Sequence, residues 1–129
     1  MVQAIAPPVI RSELIRPFDV DDTIILHGEK GHPEYATVDI YDTIEGKTIT
    51  FRVHEPMVRL LREEHSRGGF IIVWSRSGFA WAETVVKALG LSDKVHLIMS
   101  KPLVYFDDSP VENWMKDRVY LSPDAHYKR

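Results

Sequence analysis

The chain has 129 residues, enough for one domain that buries about two thirds of its unfolded surface. Its 16 Lys and Arg and 19 Asp and Glu give a net charge of −3, which excludes a chain-wide basic footprint for nucleic acid but not a local patch. There is no cysteine, so disulfides, zinc–thiolate centres and cysteine nucleophiles are excluded, and no apolar run approaches the ~18 residues of a membrane span.

Residues 1–12 carry Pro7-Pro8 and little periodicity, and read as an extended arm: a docking or oligomer contact, or a loose terminus. No basic stretch there leads into a long apolar core, so a signal peptide is not expected and a cytoplasmic protein is. Residues 13–18 read as the first core strand. Pro17 is a misfit in it, because proline gives no ladder hydrogen bond. The strand runs into Asp19-Val20-Asp21-Asp22-Thr23. Alternation puts Asp19 and Asp21 on one face. Where the strand ends and the chain turns, two carboxylates can converge to hold a hard cation, or divide nucleophile and acid/base roles.

Residues 24–55 read as a loop followed by a β-hairpin flap. Two strands, at 38–44 and 47–53, meet at Glu45-Gly46, and Ile49, Phe51 and Val53 alternate with Thr48, Thr50 and Arg52. The flap is expected to project beside the Asp19 end of the sheet. Pro56 opens a helix with Met57, Leu60 and Leu61 as its apolar stripe, and Gly68-Gly69 ends it. Residues 70–74 form a continuous apolar run, as in a strand covered on both faces. A second helix starts at Ser77 or Gly78 and turns Phe79, Ala82, Val85, Val86 and Leu89 inward, with Gly90 closing it. Residues 95–99 read as a third core strand and 103–106 as a fourth. Ser109-Pro110-Val111-Glu112 reads as a capping box, and 119–121 as a short last strand. Strands alternating with helices predict a single-domain α/β protein over residues 1–129: a three-layer, Rossmann-like parallel sheet with no separate cap domain.

In such a sheet ligands bind at the carboxyl ends of the strands. Four strand ends here carry polar side chains: Asp19 and Asp21; Ser75; Lys101, after the third strand; and Asp107-Asp108. The acids suit Mg²⁺, which takes oxygen ligands and often one or two carboxylates with phosphate. The hydroxyl and the ammonium suit phosphoryl oxygens. Asp108 also has a plainer role, favouring the positive end of the helix expected after Ser109.

These segments, in this order, resemble the four motifs of the haloacid dehalogenase superfamily of aspartate-nucleophile phosphohydrolases. Asp19-Val20-Asp21-Asp22-Thr23 looks like its DxDxT motif, Ile71-Ile72-Val73-Trp74-Ser75 like its strand ending in Ser or Thr, Lys101 like its lysine, and Val104-Tyr105-Phe106-Asp107-Asp108 like its paired acids. The resemblance implies that Asp19 attacks phosphorus and that Asp21 first protonates the leaving oxygen and then deprotonates water. It implies Mg²⁺ held by Asp19, Asp21 (through its main-chain carbonyl) and Asp107, with Asp108 a further or water-mediated ligand, and Ser75 and Lys101 on the phosphoryl oxygens. Asp21 favours phosphate esters over carbon–halogen bonds, since an alkoxide leaving group needs a proton and a halide does not. Only about 30 residues separate Asp21 from the helix at Pro56, too few for a cap domain. The expected substrate is a phosphate monoester in an open site: a small molecule covered by homo-oligomerisation, or a nucleic-acid or protein phosphate. Tyr35, Tyr41, His27, His32 and Arg52 lie on or near the flap, in reach of a leaving group.

Two alternatives stand beside this. A catalytically idle binding protein on the same fold would show the same residues. A signalling receiver domain also combines paired acids, a hydroxyl and Lys-Pro, but needs its aspartate at the end of the third strand, before the lysine. Here the acids at Asp107-Asp108 follow Lys101, and Trp74-Ser75 ends a strand with no acid.

Overall fold

In the computed structural model, which describes residues 10–115 and 117–124, the described residues form six strands and two α-helices. They are β1 Ile15–Asp19, β2 Ile25–Leu26, β3 Thr37–Asp42, β4 Lys47–Val53, α1 Glu55–Ser66, β5 Phe70–Ser75, α2 Phe79–Ala88 and β6 Leu97–Ser100. Residues 1–9 of the expected arm lie outside the described residues, and Ser12–Leu14 is a 3-10 turn.

The first sheet is parallel, in the order β1-β5-β6. Its centre is the apolar run read from the sequence: Ile71, Ile72 and Val73 are buried, as expected for a strand covered on both faces. Pro17 does not interrupt β1, which pairs without a break from Ile15 opposite Phe70 to Asp19 opposite Trp74. β1 is an edge strand, where alternate amides face outward and a missing N–H is tolerated.

The second sheet is antiparallel, in the order β2-β4-β3. The hairpin turn is where the sequence puts it, with Asp42 opposite Lys47 and Gly46 in the left-handed region at φ 67°. The Asp42 carboxylate accepts the amides of Ile44 and Glu45, which stiffens the turn. The hairpin is less of a lid than expected. Ile40 and Phe51 are each 2% exposed and belong to the same core cluster as Phe18, Val73 and Val85. One face of the hairpin is therefore part of the core, and the loop-and-flap segment 24–55 is a packed sheet with an exposed outer side.

The helices follow the sequence closely. His54 precedes α1, and its carbonyl accepts the amides of Met57 and Val58. Met57 and Leu61 face the core. Gly69 starts the return to β5 in a space no side chain fits, since a Cβ there would lie 2.7 Å from the Glu64 carbonyl oxygen. In α2, Ala82, Val85 and Val86 are buried, whereas Phe79 is half exposed.

The carboxyl-terminal third departs from expectation. Residues 103–106 form no strand: Leu103 and Val104 are about 70% exposed and Phe106 is 96% exposed, beside no paired neighbour. β-Branched and aromatic residues favour a strand only where a neighbouring strand receives them. The segment leaves β6 through Lys101-Pro102 and runs along the surface. The capping box at Ser109 yields only a 3-10 turn, Val111–Asn113, with no side-chain cap. Residues 119–121 form no strand. Among the described residues no helix is long and apolar enough to cross a membrane.

Candidate active site

β1 ends at Asp19, and the chain turns at once. The Val20 carbonyl accepts the amides of Thr23, Ile24 and Ile25 at 3.0–3.3 Å. Asp22 has a φ of 58°, a conformation that short polar side chains tolerate better than most. Its carboxylate accepts the His27 amide at 3.0 Å and the Lys30 ammonium at 2.7 Å, which ties residues 22–30 into a closed loop. Burial alone would raise the Asp22 carboxyl, but the His27 amide and Lys30 outweigh it and hold the group below its ordinary value.

The turn gives Asp19 and Asp21 separate surroundings. Asp19 faces a cation: Lys101 Nζ lies 3.7 Å from its Oδ1, and the Thr23 hydroxyl makes a long contact of 3.5 Å to Oδ2. Both charged side chains are about one third exposed. Lys101 follows β6 directly and is tied to the end of β5, since its amide donates to the Ser75 carbonyl at 2.8 Å. Asp21 sits among three hydrogen-bonding side chains. Its Oδ1 is 2.8 Å from His27 Nε2 and accepts the Trp81 indole N–H at 3.0 Å. Its Oδ2 accepts the Ser75 hydroxyl at 3.3 Å.

Ser75 therefore stands in the Asp21 network. It is fully buried, and its Oγ also accepts the Ser77 amide at 3.0 Å. The Ser75 carbonyl accepts the Gly78 amide, and the Ser100 hydroxyl accepts that of Phe79, so the start of α2 is held against the ends of β5 and β6. That places Trp81, in the first turn of α2, over Asp21.

Asp107 and Asp108 are not brought to this cluster. Both are exposed, and Asp107 Oδ1 accepts the Ser109 amide at 3.1 Å in a local turn. Hydrogen bonding with the Asp108 side chain, and then with that amide, holds the Asp107 carboxyl below its usual range. Among the described residues no three His, Asp or Glu side chains converge as metal ligands. The four expected strand ends thus contribute Asp19, Asp21, Ser75 and Lys101 to one place and leave the fourth pair outside it.

Trp81 is the participant the sequence did not disclose, because an apolar ring on an α2 face that also carries Ala82 and Val85 reads as core. Its one signal is position: the first turn of a helix that follows a strand end, with an indole N–H that needs a partner. His27 stood among the side chains near the leaving group, and the structure puts it on Asp21 instead. Compared with protein-family models, with curated proteins and with solved structures, the chain matches none.

Proposed function

We propose that this chain is a phosphohydrolase of the haloacid dehalogenase type, cleaving phosphate monoesters through an aspartyl-phosphate on Asp19. The observation that carries the reading is the unequal treatment of two carboxylates at one strand end. Asp19 is paired with the Lys101 ammonium, whereas Asp21, equally exposed, accepts hydrogen bonds from the His27 ring, the Trp81 indole and the Ser75 hydroxyl. The first is the state a nucleophile needs, since a nearby cation favours the charged form. The second suits a group that must both give and take a proton.

In the reaction an Asp19 oxygen bonds to phosphorus as the ester oxygen departs, and Asp21 supplies the proton that neutralises that oxygen. Water then attacks the aspartyl-phosphate, gives its proton to Asp21 and frees Asp19. Lys101 offsets charge on the phosphoryl oxygens throughout. Ser75, buried beneath Asp21, steadies the acid/base group in this arrangement rather than meeting phosphate directly.

Mg²⁺ comes with the family resemblance, but the donors as arranged do not fit it. The ion demands near-octahedral oxygen coordination, and Asp107 and Asp108 stay in their exposed turn. An Mg²⁺ requirement therefore demands that this turn reach the β1 end. The Rossmann-like, three-layer family fold carries the same condition, since it includes a strand at 103–106. The substrate class stays broad: a phosphate monoester, presented to an open site in a cytoplasmic protein.

One observation favours a second reading. The Ser75 hydroxyl is buried and already bonded, as an idle binding protein on this fold would allow. A phosphate-release screen separates the two. It covers nucleotides, sugar phosphates, phosphopeptides and oligonucleotides phosphorylated at either end. Release by the wild type that Asp19→Asn abolishes supports the enzyme; no release from any class supports the binder.

A further inference from the structure

Both lone-pair directions of Asp21 Oδ1 are taken. His27 Nε2, 2.8 Å away, bears the hydrogen in the bonded tautomer, and the Trp81 indole N–H is 3.0 Å away. Among the described residues Oδ2 has one long contact, from the Ser75 hydroxyl at 3.3 Å, which leaves its other lone pair open. The two donors on Oδ1 come from different elements, the loop after β2 and the first turn of α2, and Phe51 of β4 joins them. Its ring meets His27 edge-on at 4.9 Å and 79°, and Trp81 at 5.8 Å and 61°. Phe51 is 2% exposed, so this wedge is fixed in the core. His27 is anchored a second time, through its own amide on the Asp22 carboxylate.

On the reading of Asp21 as the acid/base group, we propose that His27 and Trp81 are positioning residues that occupy Asp21 Oδ1 and so reserve Oδ2 for proton transfer. The proton on Oδ2 passes to the ester oxygen as its bond to phosphorus breaks. When the water oxygen bonds to phosphorus, a water proton returns to the same atom. Loss of either donor frees the carboxylate to rotate and divides the proton between two oxygens. The antiparallel sheet thereby gains a catalytic purpose, since through Phe51 it holds both donors in place.

The test is leaving-group dependence. Single-turnover release from p-nitrophenyl phosphate, whose leaving oxygen needs little protonation, is compared with release from the alkyl phosphate that the wild type turns over fastest. Trp81→Phe keeps the ring against Phe51 and removes only the N–H; His27→Ala removes the other donor, and His27→Gln restores an N–H. The expected result is that Trp81→Phe and His27→Ala each slow the alkyl ester about tenfold more than the aryl ester, a fraction of what a general acid supplies. His27→Gln should recover most of that difference. Equal loss on both esters, the mark of a merely structural role, overturns the assignment while leaving the phosphohydrolase reading intact, and so does no loss on either. A folded wild type that releases phosphate from no ester overturns that reading and this assignment with it.

Discussion

Phe51→Ala separates a hairpin packed into the core from a hairpin that projects as a lid. Phe51 is 2% exposed, lies within the core cluster and makes edge contacts with His27 and Trp81. Truncating a buried phenylalanine costs about 3–5 kcal/mol through lost transfer energy and the cavity left behind. Each aromatic contact adds about 0.5–1.5 kcal/mol, part of which that range already contains. A chain of this length has a total stability of about 6–19 kcal/mol, so the substitution removes a large share of it. Urea unfolding followed by circular dichroism should show a midpoint shift equivalent to at least about 3 kcal/mol with an unchanged slope. Ile44→Ala, at the 88% exposed hairpin tip, is the control and should stay within about 0.5 kcal/mol. A loss below about 1 kcal/mol for Phe51→Ala would mean that the hairpin is a free flap and that nothing in the core holds His27 against Trp81.

Further outcomes concern charge and metal. The Asp22 carboxyl is held below its ordinary value, so its ionised form contributes stability above that value, and the contribution is lost as pH falls through the lowered value. Asp22→Asn keeps a side chain that tolerates positive φ and removes the charge. At pH 7 the variant should be less stable than the wild type, and the gap should close in acid unfolding series below about pH 4. Added salt should narrow the gap as well, because the Lys30 partner is half exposed. For the metal, donors that do not fit Mg²⁺ predict that phosphate release survives chelation and that Asp107→Asn leaves it unchanged. Release that chelation abolishes and that Asp107→Asn weakens would mean that the turn at Asp107 reaches the β1 end.

The sequence was most legible where local pattern and tertiary setting agree. The run at Ile71-Ile72-Val73 reads as a strand buried on both faces, and Glu45-Gly46 between alternating residues as a hairpin turn, and both are found. Asp19, Asp21, Ser75 and Lys101 were legible because each ends an apolar run, and parallel strands bring such ends to one edge. Residues 103–106 have equal apolar character, but a strand also needs a partner for its ladder, which no local pattern encodes. The expectation for Asp107 and Asp108 rested on that strand and moves with it. Trp81 was hidden for a different reason: its ring belongs to the apolar face of α2, while its N–H serves the polar site, and residue type alone does not tell the two ends apart. The hairpin lies beside the β1 end as expected, but its inner face packs into the core instead of projecting, since alternation says which face is apolar and not what that face meets.

The central claim, that Asp19 is the nucleophile, is tested most directly by trapping the intermediate. Wild-type protein mixed with the best ester from the release screen and quenched in acid within one turnover should carry one phosphoryl group. Peptide mass spectrometry should place it on Asp19, hydroxylamine should remove it, and Asp19→Asn should show no adduct and no release. Release by Asp19→Asn at the wild-type rate, or a phosphoryl group trapped on another residue, would contradict the account.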